Sequence, residues 1–164
     1  MSKIVDIFEY AMQMEKDGER FYREIAAKMS NKGLRTILTM LADEEVKHYQ
    51  AIESMRQNKY QMTETNVLDD ARNIFIEMKE QRERFEPGQE QAELYARAQE
   101  IEKKSQQLYQ EKARQADKDN QKKLFERLAK EEEKHYFLLE NIIDFVSRPE
   151  QWLENAEWYH LEEY

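Results

Sequence analysis

The segment Leu41-Ala42-x-Glu44-Glu45-x-Lys47-His48-Tyr49 returns 87 residues later as Leu128-Ala129-x-Glu131-Glu132-x-Lys134-His135-Tyr136. The match extends upstream without a gap. Ala11-x-x-x-Glu15-Lys16 pairs with Ala98-x-x-x-Glu102-Lys103, and Tyr22, Glu24 and Ala26 pair with Tyr109, Glu111 and Ala113. Such a repeat means that one structural unit is used twice. In each copy a glutamate lies 30 residues before the glutamate of a Glu-x-x-His motif. With a turn between the two glutamates, each unit reads as an antiparallel helical hairpin. The gapless match favours duplication of one hairpin, with convergence of two similar hairpins as the alternative.

Turn residues are scarce, with three Gly and two Pro in 164 residues, and helix formers fill most of the rest. The length suits one domain with a sizeable core. Four long helices are read, over 2–29, 34–58, 90–116, and from the turn at 117–120 to 147. Ser30-Asn31-Lys32-Gly33 separates the first two, with Asn and Gly expected in left-handed cap geometry. The connection 59–89 ends at Pro87-Gly88 and is too long for a plain loop. Val67, Leu68, Ala71, Ile74, Phe75 and Met78 predict an extra helix inside it. Hairpins 2–58 and 90–147, joined by the crossover 59–89, describe an all-α, ferritin-like four-helix bundle over 1–147. The tail 148–164 carries Trp152, Trp158, Tyr159 and Tyr164. It is expected as a short helix or tail that covers the bundle or a subunit contact. His160, which has no repeat partner, is expected on the surface.

A formal net charge of −9 argues against nucleic acid or an anionic membrane as a partner. It suits a cation-binding interior, since two divalent ions would bring it to about −5. The absence of cysteine excludes disulfides, zinc fingers and iron–sulfur clusters on this chain. No apolar stretch approaches the roughly 20 residues of a membrane span, and no signal-peptide pattern opens the sequence. The cytoplasm is the expected location.

The repeated glutamates and histidines fall on apolar seams with 4-3 spacing. The first helix reads Ile4, Phe8, Ala11, Glu15, Gly18, Tyr22, Ile25, Met29. The second reads Leu34, Leu38, Leu41, Glu45, His48, Ile52, Met55, and the last Phe125, Leu128, Glu132, His135, Leu139, Ile142. On these seams the Glu, or the Glu–His pair, is the only ionisable content. The third helix is less clean: Tyr95, Ala98, Glu102, Ser105 and Tyr109 share a face that ends near Lys112. One Glu-x-x-His in a chain that is 37% charged is most simply a surface pair. Two copies on apolar seams, each with a matched upstream glutamate, are not. Glu15 and Glu45 also lie about equally far from their turn, so at about 1.5 Å per residue they share a level. Four buried carboxylates close together could not all ionise unaided, and two dications would remove that conflict. The ligand set is then Glu15, Glu45, His48, Glu102, Glu132 and His135, on a pattern known from bundle-core two-metal sites. Zinc could use such ligands, but a carboxylate-rich set suits iron or manganese better than a closed tetrahedral zinc site.

These residues resemble the rubrerythrin branch of the ferritin-like di-iron proteins. The resemblance rests on Glu15-x6-Tyr22, Glu45-x-x-His48, Glu102-x6-Tyr109 and Glu132-x-x-His135 with their flanking residues. It implies two iron ions held by the four glutamates, two of them bridging, with His48 and His135 on one ion each. It also implies reaction of the reduced centre with hydrogen peroxide or dioxygen, and a homodimer. Two departures stand out. Rubrerythrins proper carry a rubredoxin domain with four cysteines. This chain has none, so an external electron donor such as a rubredoxin is implied. They also carry an additional carboxylate one turn after the third-helix glutamate, where this chain has Ser105. The remaining six-ligand set is closer to that of bacterioferritin-type centres.

Gly18 and Ser105 occupy matching positions one turn after Glu15 and Glu102. A helical glycine costs roughly 1 kcal/mol against alanine. The pair is expected to leave a void where the oxidant binds, with close helix packing as the alternative. Tyr22 and Tyr109 are expected to hydrogen-bond ligand carboxylates or carry an electron, with ordinary core tyrosines as the alternative. A di-iron peroxidase or oxidase is the first reading. A ferroxidase or storage subunit, and a non-catalytic metal-binding bundle, are the others.

Overall fold

The structure, a computed structural model, describes residues 3–57, 59, 66–80 and 89–147. They form five helices: α1 Lys3–Lys28, α2 Lys32–Arg56, α3 Val67–Glu80, α4 Gln89–Gln115 and α5 Asp119–Ser147. No strand occurs among the described residues. The predicted helix ends lie within two residues of those observed. The extra helix expected in the crossover is α3. Pro87-Gly88, the aromatic tail and His160 lie outside the described residues.

α1 packs along α2 and α4 along α5, each pair joined by a short turn. The two hairpins meet through α2 with α5 and α1 with α4, while α3 packs on α2 and α5. This is an all-α, ferritin-like bundle. The crossover carries the chain from one hairpin to the other by way of α3.

The apolar seams form two clusters rather than one. The first gathers Tyr22, Ile25, Met29, Leu34, Leu38, Leu41, Tyr95, Leu139, Ile142 and Phe145, closed off by Val67, Ala71, Phe75 and Met78 of α3. The second gathers Phe8, Ala11, Ile52, Met55, Tyr109, Leu124, Phe125 and Leu128. Burying each large side chain contributes about 1.5–3 kcal/mol, so both clusters drive assembly. On every long helix the predicted glutamate lies in sequence between the residues given to one cluster and those given to the other. The two apolar blocks thus sandwich a polar layer.

The α1–α2 turn departs from the expected left-handed geometry. Asn31 is the N-cap of α2 with extended backbone (φ −75°, ψ 122°), and its side chain accepts a hydrogen bond from the Leu34 amide at 2.8 Å. A side-chain cap of this kind satisfies an amide that the helix start leaves unpaired. Gly33 lies inside α2, not in a cap. Its reason is space: an added Cβ would sit 2.7 Å from Met78 Sδ and 3.2 Å from Ile74 Cγ2. The glycine lets α3 approach α2, a tertiary requirement that local turn chemistry does not reveal.

Gly33→Val should therefore overpack this contact and lower stability by about 1–3 kcal/mol. Thermal unfolding followed by circular dichroism would test it. An unchanged midpoint would mean that α3 is not held against this face.

Candidate metal centre

Each of the four bundle helices delivers its predicted residue to the polar layer. Glu15 comes from α1, Glu45 and His48 from α2, Glu102 from α4, and Glu132 and His135 from α5. All six are buried, and both imidazoles are wholly inaccessible. Residues at i and i+3 share a helix face, so Glu45 and His48, like Glu132 and His135, point inward together.

Two overlapping groups of ligand atoms result. Glu15, Glu45, His48 and Glu132 offer one donor atom each within 4.8 Å of one another. Glu45, Glu102, Glu132 and His135 do the same. Glu45 and Glu132 belong to both groups, and each group has its own histidine and its own helix-α1 or helix-α4 glutamate. The imidazoles stack with centroids 5.5 Å apart and planes inclined by 10°. Their Nδ1 atoms face the carboxylates: His48 Nδ1 lies 3.1 Å from Glu132 and 3.4 Å from Glu15. His135 Nδ1 lies 3.3 Å from Glu45 and 3.5 Å from Glu102.

The tyrosines reach across the hairpin boundary. Tyr22 on α1 donates to Glu102 Oε1 on α4 at 2.5 Å, and Tyr109 on α4 donates to Glu15 Oε1 on α1 at 2.5 Å. Neither bonds the glutamate of its own helix, so the two contacts form a reciprocal brace between the hairpins. Burial, followed by the neighbouring carboxylate charge, pushes both phenols well above their ordinary pKa, so they remain donors.

Gly18 has a different role from the expected oxidant void. The space beside it is filled: an added Cβ would lie 3.1 Å from Glu45 Oε2 and 3.4 Å from its Cδ. The glycine is there because α1 passes close to the Glu45 carboxyl, and a side chain would push that group away. Ser105 is buried, with its hydroxyl 3.4 Å from Met14 Sδ.

Electrostatics divide the carboxylates into two kinds. Burial raises the Glu15 pKa, but the His48 charge first, then contacts with Glu45 and His48 and the Tyr109 hydrogen bond, outweigh it and hold the group at about 2. Glu102 is lowered in the same way, burial being overcome by His135, Glu132 and Tyr22. Glu45 and Glu132 go the other way. Burial first, then the charges of neighbouring glutamates, push them well above the usual carboxylate range. Burial works against the charged form of His48, yet the carboxylates led by Glu15 raise its pKa. Without metal, protons on Glu45, Glu132 and His48 offset most of the layer's negative charge.

These residues fit a metal. Glu15 Oε2, Glu45 Oε1, Glu102 Oε2 and His135 Nδ1 are buried without a hydrogen-bond partner among the described residues. Unpaired buried oxygens and an imidazole nitrogen, aimed into one layer from four helices, form a hard, oxygen-rich donor set with nitrogen. The sequence also contained a signal that the seam pattern passes over. Glu44 and Glu131, the residues immediately before Glu45 and Glu132, are buried as well. Glu44 offers an oxygen within 4.8 Å of donor nitrogens of both His48 and His135.

The rubrerythrin family model matches residues 6–144, a span that contains all six ligand candidates. No curated protein and no solved structure matches the chain.

The sign of the pH dependence follows from these shifts. Glu45, Glu132 and His48 hold protons more tightly when folded. They stabilise the metal-free fold fully below their unfolded pKa values and lose that contribution as pH rises through the folded ones. Glu15 and Glu102 act oppositely, and their contribution fades only as pH falls below about 4.5. Metal-free protein should thus lose thermal stability from about pH 5 upward, and Glu45→Gln should flatten that loss. A wild-type midpoint that rises steadily from pH 5 to 8 would contradict this.

Proposed function

This chain belongs to the rubrerythrin family, and we propose that it is a di-iron protein that reduces hydrogen peroxide or dioxygen with electrons from an external donor. One observation carries the reading: two buried donor groups, each with its own histidine, share Glu45 and Glu132. Glu15 and His48 would serve one ion, Glu102 and His135 the other, with Glu45 and Glu132 reaching both. The ions, when bound, would supply the redox chemistry, and manganese or zinc could occupy the same ligands without the same reactivity.

The protein's own part is to hold, orient and exclude. Tyr22 and Tyr109 fix the free edges of Glu102 and Glu15 by hydrogen bonds, leaving the opposite oxygens for the metal. The two apolar clusters seal the layer from above and below, which keeps bulk water from the centre. Glu45, Glu132 and His48 must surrender their protons for metal to enter, so uptake releases protons and strengthens as pH rises. Ser105, small and buried on α4, is the side on which we place the oxidant, since Glu45 fills the space at Gly18. Electrons come from outside these 164 residues, which contain no cysteine; a rubredoxin is the donor we propose, to a homodimer.

Ferroxidase action is the second reading, because Ser105 leaves the six-ligand set without a further carboxylate. Anaerobic titration with ferrous iron should give two ions per chain with release of protons. Stopped-flow mixing with peroxide and with dioxygen then separates the readings. Faster oxidation by peroxide, with turnover on adding reduced rubredoxin, is expected. Uptake far beyond two ions per chain would favour the ferroxidase. Glu45→Ala and His48→Ala should abolish stoichiometric loading, and retention of two ions by both variants would sink the ligand assignment.

A further inference from the structure

Methionine sulfur is a soft nucleophile, and hydrogen peroxide converts it to the sulfoxide. Which methionine reacts depends on access and on the groups beside the sulfur. Met29 Sδ lies 3.4 Å from the Tyr95 hydroxyl, but both residues are buried in the first apolar cluster. Met40 is half-buried at the edge of that cluster, with no hydroxyl donating to its sulfur among the described residues. Met14 on α1 combines access with a hydroxyl. It is only half-buried against the second cluster, and its Sδ accepts from Ser105 Oγ on α4 at 3.4 Å.

The placement ties this sulfur to the centre. Met14 directly precedes Glu15, and Ser105 follows Glu102 by one turn. The contact therefore closes the α1–α4 boundary on the flank where the oxidant is placed, since Glu45 fills the space at Gly18. A thioether is a weak acceptor, so the Ser105 hydroxyl is loosely held and can turn toward an incoming oxidant. Attack of sulfur on peroxide is helped by such a donor, because the departing oxygen leaves with negative charge. Nucleophile and donor stand side by side, on helices from different hairpins.

We propose that Met14 and Ser105 form a peroxide-reactive site distinct from the metal ligands, at which the Met14 thioether is converted to the sulfoxide. The sulfur attacks one peroxide oxygen, and the S–O bond forms as the O–O bond breaks. Ser105 passes its proton to the departing oxygen and regains one from the oxygen now on sulfur. Sulfur loses two electrons, peroxide gains them, and water leaves. In the product the Ser105 hydroxyl donates to the sulfoxide oxygen, a stronger acceptor than the thioether. The step uses the same oxidant as the reading above and needs no metal. An external sulfoxide reductase would restore the thioether.

The test is peptide mapping by mass spectrometry on the full chain, metal-free under chelator, during exposure to hydrogen peroxide. Met14 should gain oxygen about 10-fold faster than Met40 or Met29, a modest part of what a positioned proton donor can supply. Ser105→Ala keeps Met14 accessible and removes the donor, so the Met14 rate should fall to that of Met40. Met14 oxidised no faster than Met40, or at an unchanged rate in a folded Ser105→Ala variant, would overturn the proposal. Iron loading and peroxide turnover by protein whose Met14 stays reduced would do the same while leaving the di-iron reading intact. Preferential Met14 oxidation in protein that loads no iron would uphold this site and count against that reading.

Discussion

Four carboxylates and two imidazoles share one water-poor layer, and the rest of the molecule is arranged around that constraint. In a low-dielectric interior, like charges at this range cannot all persist. The metal-free chain answers by mixing protonation states: Glu15 and Glu102 are held ionised against the imidazoles, while Glu45 and Glu132 hold protons. The resulting balance is suited to exchange for divalent cations, because the protonated carboxyls are the two that both donor groups share. The groups that limit the charge of the layer are also the groups that would accept the ions.

This layer divides the hydrophobic core. Apolar clusters lie on either side of it, and each bundle helix runs through both. The clusters supply the driving force for folding, and the layer gives register: sliding one helix by a turn would bury a glutamate against Leu or Phe side chains with no partner. The polar residues are thus a specificity device for the bundle as well as a binding site.

Much of this was legible in the sequence. The 4-3 seams fixed which helix faces turn inward, and the offset of 87 residues placed Glu15, Glu45, Glu102 and Glu132 together. The missing parts were those that depend on contacts between distant segments. Gly33 reads as a turn residue, yet its role is set by Met78, 45 positions away on α3. Gly18 reads as a void until Glu45 is seen to fill it. The tyrosines were placed on the right seams, but seam position cannot say that Tyr22 serves Glu102 rather than Glu15. Glu44 and Glu131 were hidden for another reason: in a charged chain, a glutamate off the apolar stripe looks solvated, and only packing between hairpins buries it.

The reciprocal tyrosine brace has a consequence for how such a chain can change over time. Each hairpin holds three residues of one donor group, one residue of the other, and the hydroxyl that steadies the other hairpin's glutamate. Neither unit is self-sufficient, so a single ancestral hairpin could have made the whole centre only by pairing with its own copy. Two hairpins joined in one chain by the crossover need not be identical. Gly18 and Ser105, corresponding positions with different side chains and different neighbours, show where the two halves differ. One flank of the centre is taken by the Glu45 carboxyl, and the other carries a hydroxyl.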